Sequence, residues 1–181
     1  MFEHSQFLAE SFGALAVVLN FIGYRQQDIN RYRLISALAL ASVSTHFFLL
    51  GNAEAAGIGC ALASIRNIIA MRFRGNIVLG MFVLLNLIFF YYEWFYLGST
   101  WIIFIAYTSS LIFTVGSIVL QSAIKMRQWF VFAELLGLLY AILVGSVFGT
   151  IFNFTNLCSI FYTLLRDIRQ KTKSQTKKNQ H

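Results

Sequence analysis

Along this chain, long hydrophobic runs alternate with breaks of a few polar residues. The runs cover about residues 5–23, 34–51, 54–71, 76–96, 101–120, 129–145 and 147–165. Each approaches the ~20 mostly apolar residues that a helix needs to cross a bilayer. The pattern predicts an all-α membrane protein with seven transmembrane helices. The third run, rich in alanine and glycine, is the least apolar of them.

Composition agrees. With 58% hydrophobic residues, 12% charged residues and no proline in 181 positions, the chain has too little polar material to cover a water-soluble domain. Tyr91, Tyr92, Trp94, Phe95, Tyr96 and Trp101 gather at the break between the fourth and fifth runs, where an interfacial aromatic belt would put them. The start, MFEHSQ, lacks the basic residues of a cleavable signal peptide, so none is expected.

Charge sets the orientation, because short loops rich in lysine and arginine stay on the cytoplasmic side. Arg25, Arg31 and Arg33 fall between runs one and two, Arg72 and Arg74 between three and four, and Lys125 and Arg127 between five and six. Six more basic residues follow run seven, from Arg166 to Lys178, and the remaining one, Arg66, lies inside run three. The opposite ends of the runs carry Glu3, Glu54 and Glu93 instead. This places the N-terminus outside and the C-terminus in the cytoplasm, and it supports the weak third span independently of hydropathy. The formal net charge of +7 is accordingly a topology signal, with no need of a nucleic-acid partner. The basic tail, residues 169–181, is expected to be disordered near anionic headgroups.

The stretch from Ser42 to Asn67 reads as two helices folded back on a short turn, and it holds His46 and Arg66. An arginine at bilayer depth costs on the order of 3 kcal/mol on insertion scales, so such a group is kept mainly where protein or water solvates it. The hairpin should face an interior. Arg66 can alternatively snorkel its head to the surface, whereas the shorter His46 cannot reach so far. In the third run Ala55, Gly59 and Ala63 form one small-residue face and Ala56, Cys60 and Ser64 the next, which suits a helix wedged between neighbours. In run seven Asn153 and Asn156 sit near mid-membrane, as a helix-to-helix hydrogen bond or as amides lining a solute path; Asn67 is a further candidate for that path.

Matching depths suggest two couples. Glu10 and His46 each lie about five residues in from the outer surface, a candidate pH-responsive pair at the outer mouth. Arg66 and Glu134 each lie roughly 9–10 Å inside the cytoplasmic ends of their helices, a candidate gate between the halves. Cys60 and Cys158 read as packing residues, and no metal set, phosphate cradle, nucleophile or acid pair is evident. Neither an enzyme nor a cofactor is expected.

An odd number of spans invites a test for duplication. At a spacing of 94 residues Arg33 meets Arg127, Leu49 meets Leu143, Gly51 meets Gly145 and Arg72 meets Arg166. The expected organisation is two parallel three-helix repeats, residues 1–75 and 101–168, joined by a linker helix at 76–100. This layout resembles that of the SWEET sugar transporters, whose parallel repeats are related by an axis along the membrane normal. Lacking their prolines, this chain would need hinges such as Gly13, Gly116 or Gly137. A closer resemblance rests on His46-Phe47-Phe48-Leu49-Leu50-Gly51 and Ser64-Ile65-Arg66-Asn67, which resemble the YgjV family of bacterial inner-membrane proteins over all but the last dozen residues. That resemblance implies a bacterial cytoplasmic membrane and carries no reaction with it. The functional expectation is a carrier of a small polar solute, with His46, Asn67, Asn153 and Asn156 on its path and Glu10, Arg66 and Glu134 as gating groups. The alternative is a non-transporting sensor or assembly protein whose buried polar groups are structural. The partners expected are the lipid bilayer, such a solute and, as one option, further copies of the chain.

Overall fold

A computed structural model describes residues 2–50, 54–96, 98, 100–145 and 147–178. All regular structure among these residues is helical: α1 (Phe2–Gly23), α2 (Ile29–Leu50), α3 (Glu54–Arg72), α4 (Asn76–Phe95), α5 (Ile103–Val119), α6 (Ala123–Val144) and α7 (Val147–Lys178). Four of them, α1, α2, α4 and α6, are long and apolar enough to cross a membrane, and α5 is apolar but shorter. The turn between α2 and α3, residues 51–53, lies outside the described residues.

Local chemistry explains where the helices begin and end. Asp28 caps α2, its carboxylate accepting the Arg31 amide at 2.7 Å, as acidic N-caps do for a helix's unpaired first amides. Gly145 closes α6 in the left-handed conformation, φ 75°, from which its amide reaches back to the Ala141 and Ile142 carbonyls.

Three boundaries depart from the hydropathy reading. α2 and α6 start at Ile29 and Ala123, several residues before the apolar runs begin, so Arg33 and Arg127 are helical rather than loop residues. Both are buried, at 0% and 2% exposure. α7 continues past 165 to Lys178, taking most of the tail expected to be disordered into helix. Arginine, lysine and glutamine favour helix, and the segment has neither glycine nor proline to stop it.

α1 packs on α2 and α2 on α3; α5 packs on α6 and α6 on α7. α4 lies against α5, and lesser contacts join α1 to α7 and α3 to α5. Tyr24, Tyr32, Met126, Phe130 and Ile160 form one apolar cluster drawn from both groups of helices, and Ala70, Phe82 and Ile118 tie α3, α4 and α5 together in another. The outside is strongly apolar. α4 exposes Ile77 (88%), Leu84, Leu87, Ile88, Tyr91 and Phe95, a surface suited to hydrocarbon and far too greasy for water. The polar groups are turned inward.

α3 packs closely through Gly57 and through Ser64, which belongs to the second of the two small-residue faces. Ser64 donates to the Ala37 carbonyl at 2.8 Å and Ser44 to the Gly57 carbonyl at 2.7 Å, with the Phe48 ring against Gly57. Gly59 is exposed and has nothing within 4 Å of where a Cβ would stand. The side chains of Ala55 and Ala56 lie outside the described residues.

Candidate functional site

Two buried polar clusters occupy the places where the helix groups meet. The first is built by α1, α6, α7 and the residue just past α1. Glu134 of α6 accepts a hydrogen bond from the Tyr24 hydroxyl and two from the Asn156 amide of α7, at 3.1 and 3.2 Å. Asn156 in turn accepts from the Asn20 amide of α1 at 2.8 Å. All four side chains are buried. Every donor to the carboxylate is neutral, and among the described residues no cation bridges to it. A carboxyl group held in this way can keep or release a proton without breaking an ion pair.

The second cluster joins α2, α3, α4 and α5. The Arg66 guanidinium donates to the Thr114 hydroxyl of α5 at 2.9 Å and, more weakly, to the neighbouring Asn67 amide oxygen at 3.4 Å. Asn67 donates to Ser36 of α2 at 3.1 Å. Asn86 of α4 donates to Thr114 at 3.4 Å and accepts from Ser110. Arg66 is thus an interior arginine solvated by hydroxyls and amides, and its head does not snorkel.

The expected Arg66–Glu134 pair is not formed. Each group is buried at the expected kind of site, yet each is held by different neutral partners, Thr114 and Asn67 for one, Tyr24 and Asn156 for the other. Depth along a helix said nothing about which face each side chain takes. Asn156 is a member of the first cluster. Asn153 instead turns its amide to the Gly149 carbonyl of its own helix at 2.8 Å and rests its oxygen on Gly137. His46 is buried, with Nδ1 2.7 Å from the Ala9 carbonyl of α1. A carbonyl can only accept, so Nδ1 carries the proton. Glu10, the next residue of α1, is exposed.

At one end of the bundle, arginines tie the helix groups together. Arg33 of α2 reaches the end of α5, where its Nε and Nη2 donate to the Ser117 carbonyl at 3.0 and 2.6 Å, and Nη2 donates to the Leu120 carbonyl at 2.9 Å. Arg127 of α6 reaches the turn after α1, donating to the Gln26 carbonyl, and also bridges to Asp167 of α7 at 3.4 Å. Arg74 joins the same end by donating to Asn30 at 2.6 Å.

Hydropathy alone could not find Asn20 or Thr114, because a hydroxyl or amide within a long apolar run carries little weight, nor Tyr24, which lies just past the first run. Arg33 and Arg127 did leave a signal, since they coincide in the 94-residue overlay.

A model of the Imp-YgjV family, described as a bacterial inner membrane protein, matches residues 7–171. The chain belongs to this family. The resemblance seen in the His46 and Arg66 segments therefore holds over nearly the whole chain, and this Imp-YgjV protein resides in the bacterial inner membrane. No curated protein and no solved structure matches it.

Proposed function

We propose that this Imp-YgjV protein is a carrier of a small polar solute, built from two parallel three-helix units with α4 as the linker and a path running between the units. The observation that carries this reading is reciprocal. Arg33 donates to the Leu120 carbonyl and Arg127 to the Gln26 carbonyl. The two arginines stand 94 residues apart, as do Gln26 and Leu120. Equivalent contacts made in both directions are what a twofold relation between two units produces. The lesser contacts agree, since the first helix of each unit meets the third of the other, α1 with α7 and α5 with α3. Polar groups mark both meetings. Asn20 and Thr114, again 94 residues apart, bind Asn156 and Arg66 respectively.

In this reading Glu134 and Asn156 on one side, and Arg66 and Asn67 on the other, line the path. Hydroxyls and amides there can both donate to and accept from a solute. A second reading, a non-transporting sensor or assembly protein, draws on one observation: the buried charges already have hydrogen-bond partners within the protein. Uptake by proteoliposomes containing the purified chain decides between them. A screen of small polar solutes is expected to yield at least one whose entry exceeds that into empty liposomes and falls on Asn156→Leu substitution. Uptake indistinguishable from empty liposomes throughout would favour the structural reading.

A further inference from the structure

We infer that the cleft formed by the α1–α2 turn and α7 is a binding site for a phosphate group, the headgroup of an anionic phospholipid or a soluble phosphate. The cleft, of about 430 Å³, is lined by Arg25, Gln26, Gln27, Asp28, Arg31 and Arg166. Arg127 stands behind it, holding the Gln26 carbonyl. These four guanidinium groups face two carboxylates, Asp28 and Asp167, leaving a local surplus of two positive charges. Both carboxylates are already engaged. Asp28 caps α2 and Asp167 bridges to Arg127.

Among the described residues, the buried Arg166 Nε donor at this cleft has no hydrogen-bond acceptor, its nearest carboxylate oxygen being 3.9 Å away on Asp167. The Arg25 guanidinium is stacked 3.6 Å over the Phe21 ring and 5.2 Å from that of Tyr162. Stacking occupies the face of a guanidinium and leaves its in-plane N–H groups for an acceptor such as a phosphate oxygen. Like charges gathered in one cleft repel, and an anion between them removes that repulsion.

The surroundings suit an amphiphile. Beside the cleft, Ile22, Phe161, Tyr162 and Leu165 are exposed apolar side chains. On α7 Tyr162 precedes Arg166 by four residues, so the two share a face, and in the turn past α1 the Arg25 amide folds back onto the Ile22 carbonyl at 3.2 Å. An acyl chain lying along these residues would bring its phosphate to the arginines. Basic pockets between helices at a membrane surface take anionic headgroups in this way.

Thermal unfolding of the full chain in a nonionic detergent tests the site. Phosphatidylglycerol, phosphatidylcholine and inorganic phosphate are titrated separately at fixed ionic strength, into the wild type, Arg31→Gln, Arg25→Gln/Arg166→Gln and the off-site control Arg72→Gln. Phosphatidylglycerol is expected to raise Tm where phosphatidylcholine does not. The concentration needed should increase about fivefold in Arg31→Gln, the loss of one basic residue near an anion, and the shift should vanish in the double variant while Arg72→Gln keeps it. A shift with inorganic phosphate as well assigns the site to the phosphate group itself; a shift with the lipid alone assigns it to the headgroup with its chain. Arg31 is exposed and its side chain holds no helix end, so that variant remains informative if the double variant does not fold. Absence of a shift with both phosphates, or a shift unchanged in Arg31→Gln, would overturn the site.

Discussion

At the scale of single residues, the interior is organised by pairing ionisable groups with neutral donors and acceptors. Glu134 accepts from the Tyr24 hydroxyl and the Asn156 amide, and both donors lose this acceptor if the carboxylate is removed. Glu134→Leu takes that acceptor away, and Tyr24→Phe removes one of the two donors. The double variant should be more stable than the two single losses predict by about 1 kcal/mol, a coupling within the range for interhelical hydrogen bonds in membranes. Additive losses in unfolding from mixed micelles would mean that the Tyr24–Glu134 bond contributes nothing. By contrast, Arg66→Met and Glu134→Gln should be additive, because these groups share no partner; coupling between them would restore the gate. The sequence made Arg66 and Glu134 legible, since charges in apolar runs stand out. Their partners were not legible, because Thr114 is one hydroxyl among many and Tyr24 lies just beyond the first apolar run.

At the scale of helices, contacts between neighbours depend on small residues at particular points. A Cβ on Gly116 of α5 would come within 2.6 Å of both the Phe130 and Trp129 rings of α6. Neither ring has an easy retreat, since Phe130 is buried and the Trp129 indole donates to the Ile112 carbonyl at 2.8 Å. Gly116→Ala should thus lower stability by about 1–3 kcal/mol, the usual penalty for overpacking. On Gly137 the atoms nearest the added Cβ all belong to the Asn153 side-chain amide, Oδ1 at 2.5 Å, and this single polar side chain can yield at the cost of its hydrogen bond to the Gly149 carbonyl. Gly137→Ala is expected to have the smaller effect, with melting in detergent as the measure; the reverse order would show that the α6–α7 contact is the tighter one. Both glycines were candidate hinges, and at both the structure shows a close helix contact. Hydropathy located all seven helices yet placed the starts of α2 and α6 too late, because it reads Arg33 and Arg127 as breaks. It has no means of knowing that carbonyls at the end of a neighbouring helix await them.

At the scale of the whole molecule, basic side chains from the starts of α2 and α6, from the break after α3 and from α7 converge on one end of the bundle, through the contacts of Arg74 with Asn30, Arg33 with Leu120 and Arg127 with Gln26, and through the cleft containing Arg166. The positive-inside rule predicts that this end faces the cytoplasm. Reporter fusions at Gly51 and after the C-terminus should then report opposite sides, external and cytoplasmic, and agreement between them would refute seven spans. The same end is where the proposed units grip each other. Arg33→Met would leave the Ser117 and Leu120 carbonyls at the end of α5 without their donor, a loss of about 1–3 kcal/mol for buried groups left unsatisfied. Arg127→Met should do at least as much damage, because it frees the Gln26 carbonyl and also removes the nearer of the two arginines at Asp167, leaving only Arg166 at 3.9 Å. Lysine at either position should recover only part of the loss, since one ammonium cannot reproduce a planar fork that spans two acceptors, two carbonyls for Arg33 and a carbonyl and a carboxylate for Arg127. If the two contacts are counterparts across a twofold relation, substitution at either arginine weakens the same junction, and both variants should destabilise the protein. A neutral Arg33→Met beside a damaging Arg127→Met would show that the grip is one-sided, held by the Asp167 bridge alone, and would remove the strongest support for two equivalent units.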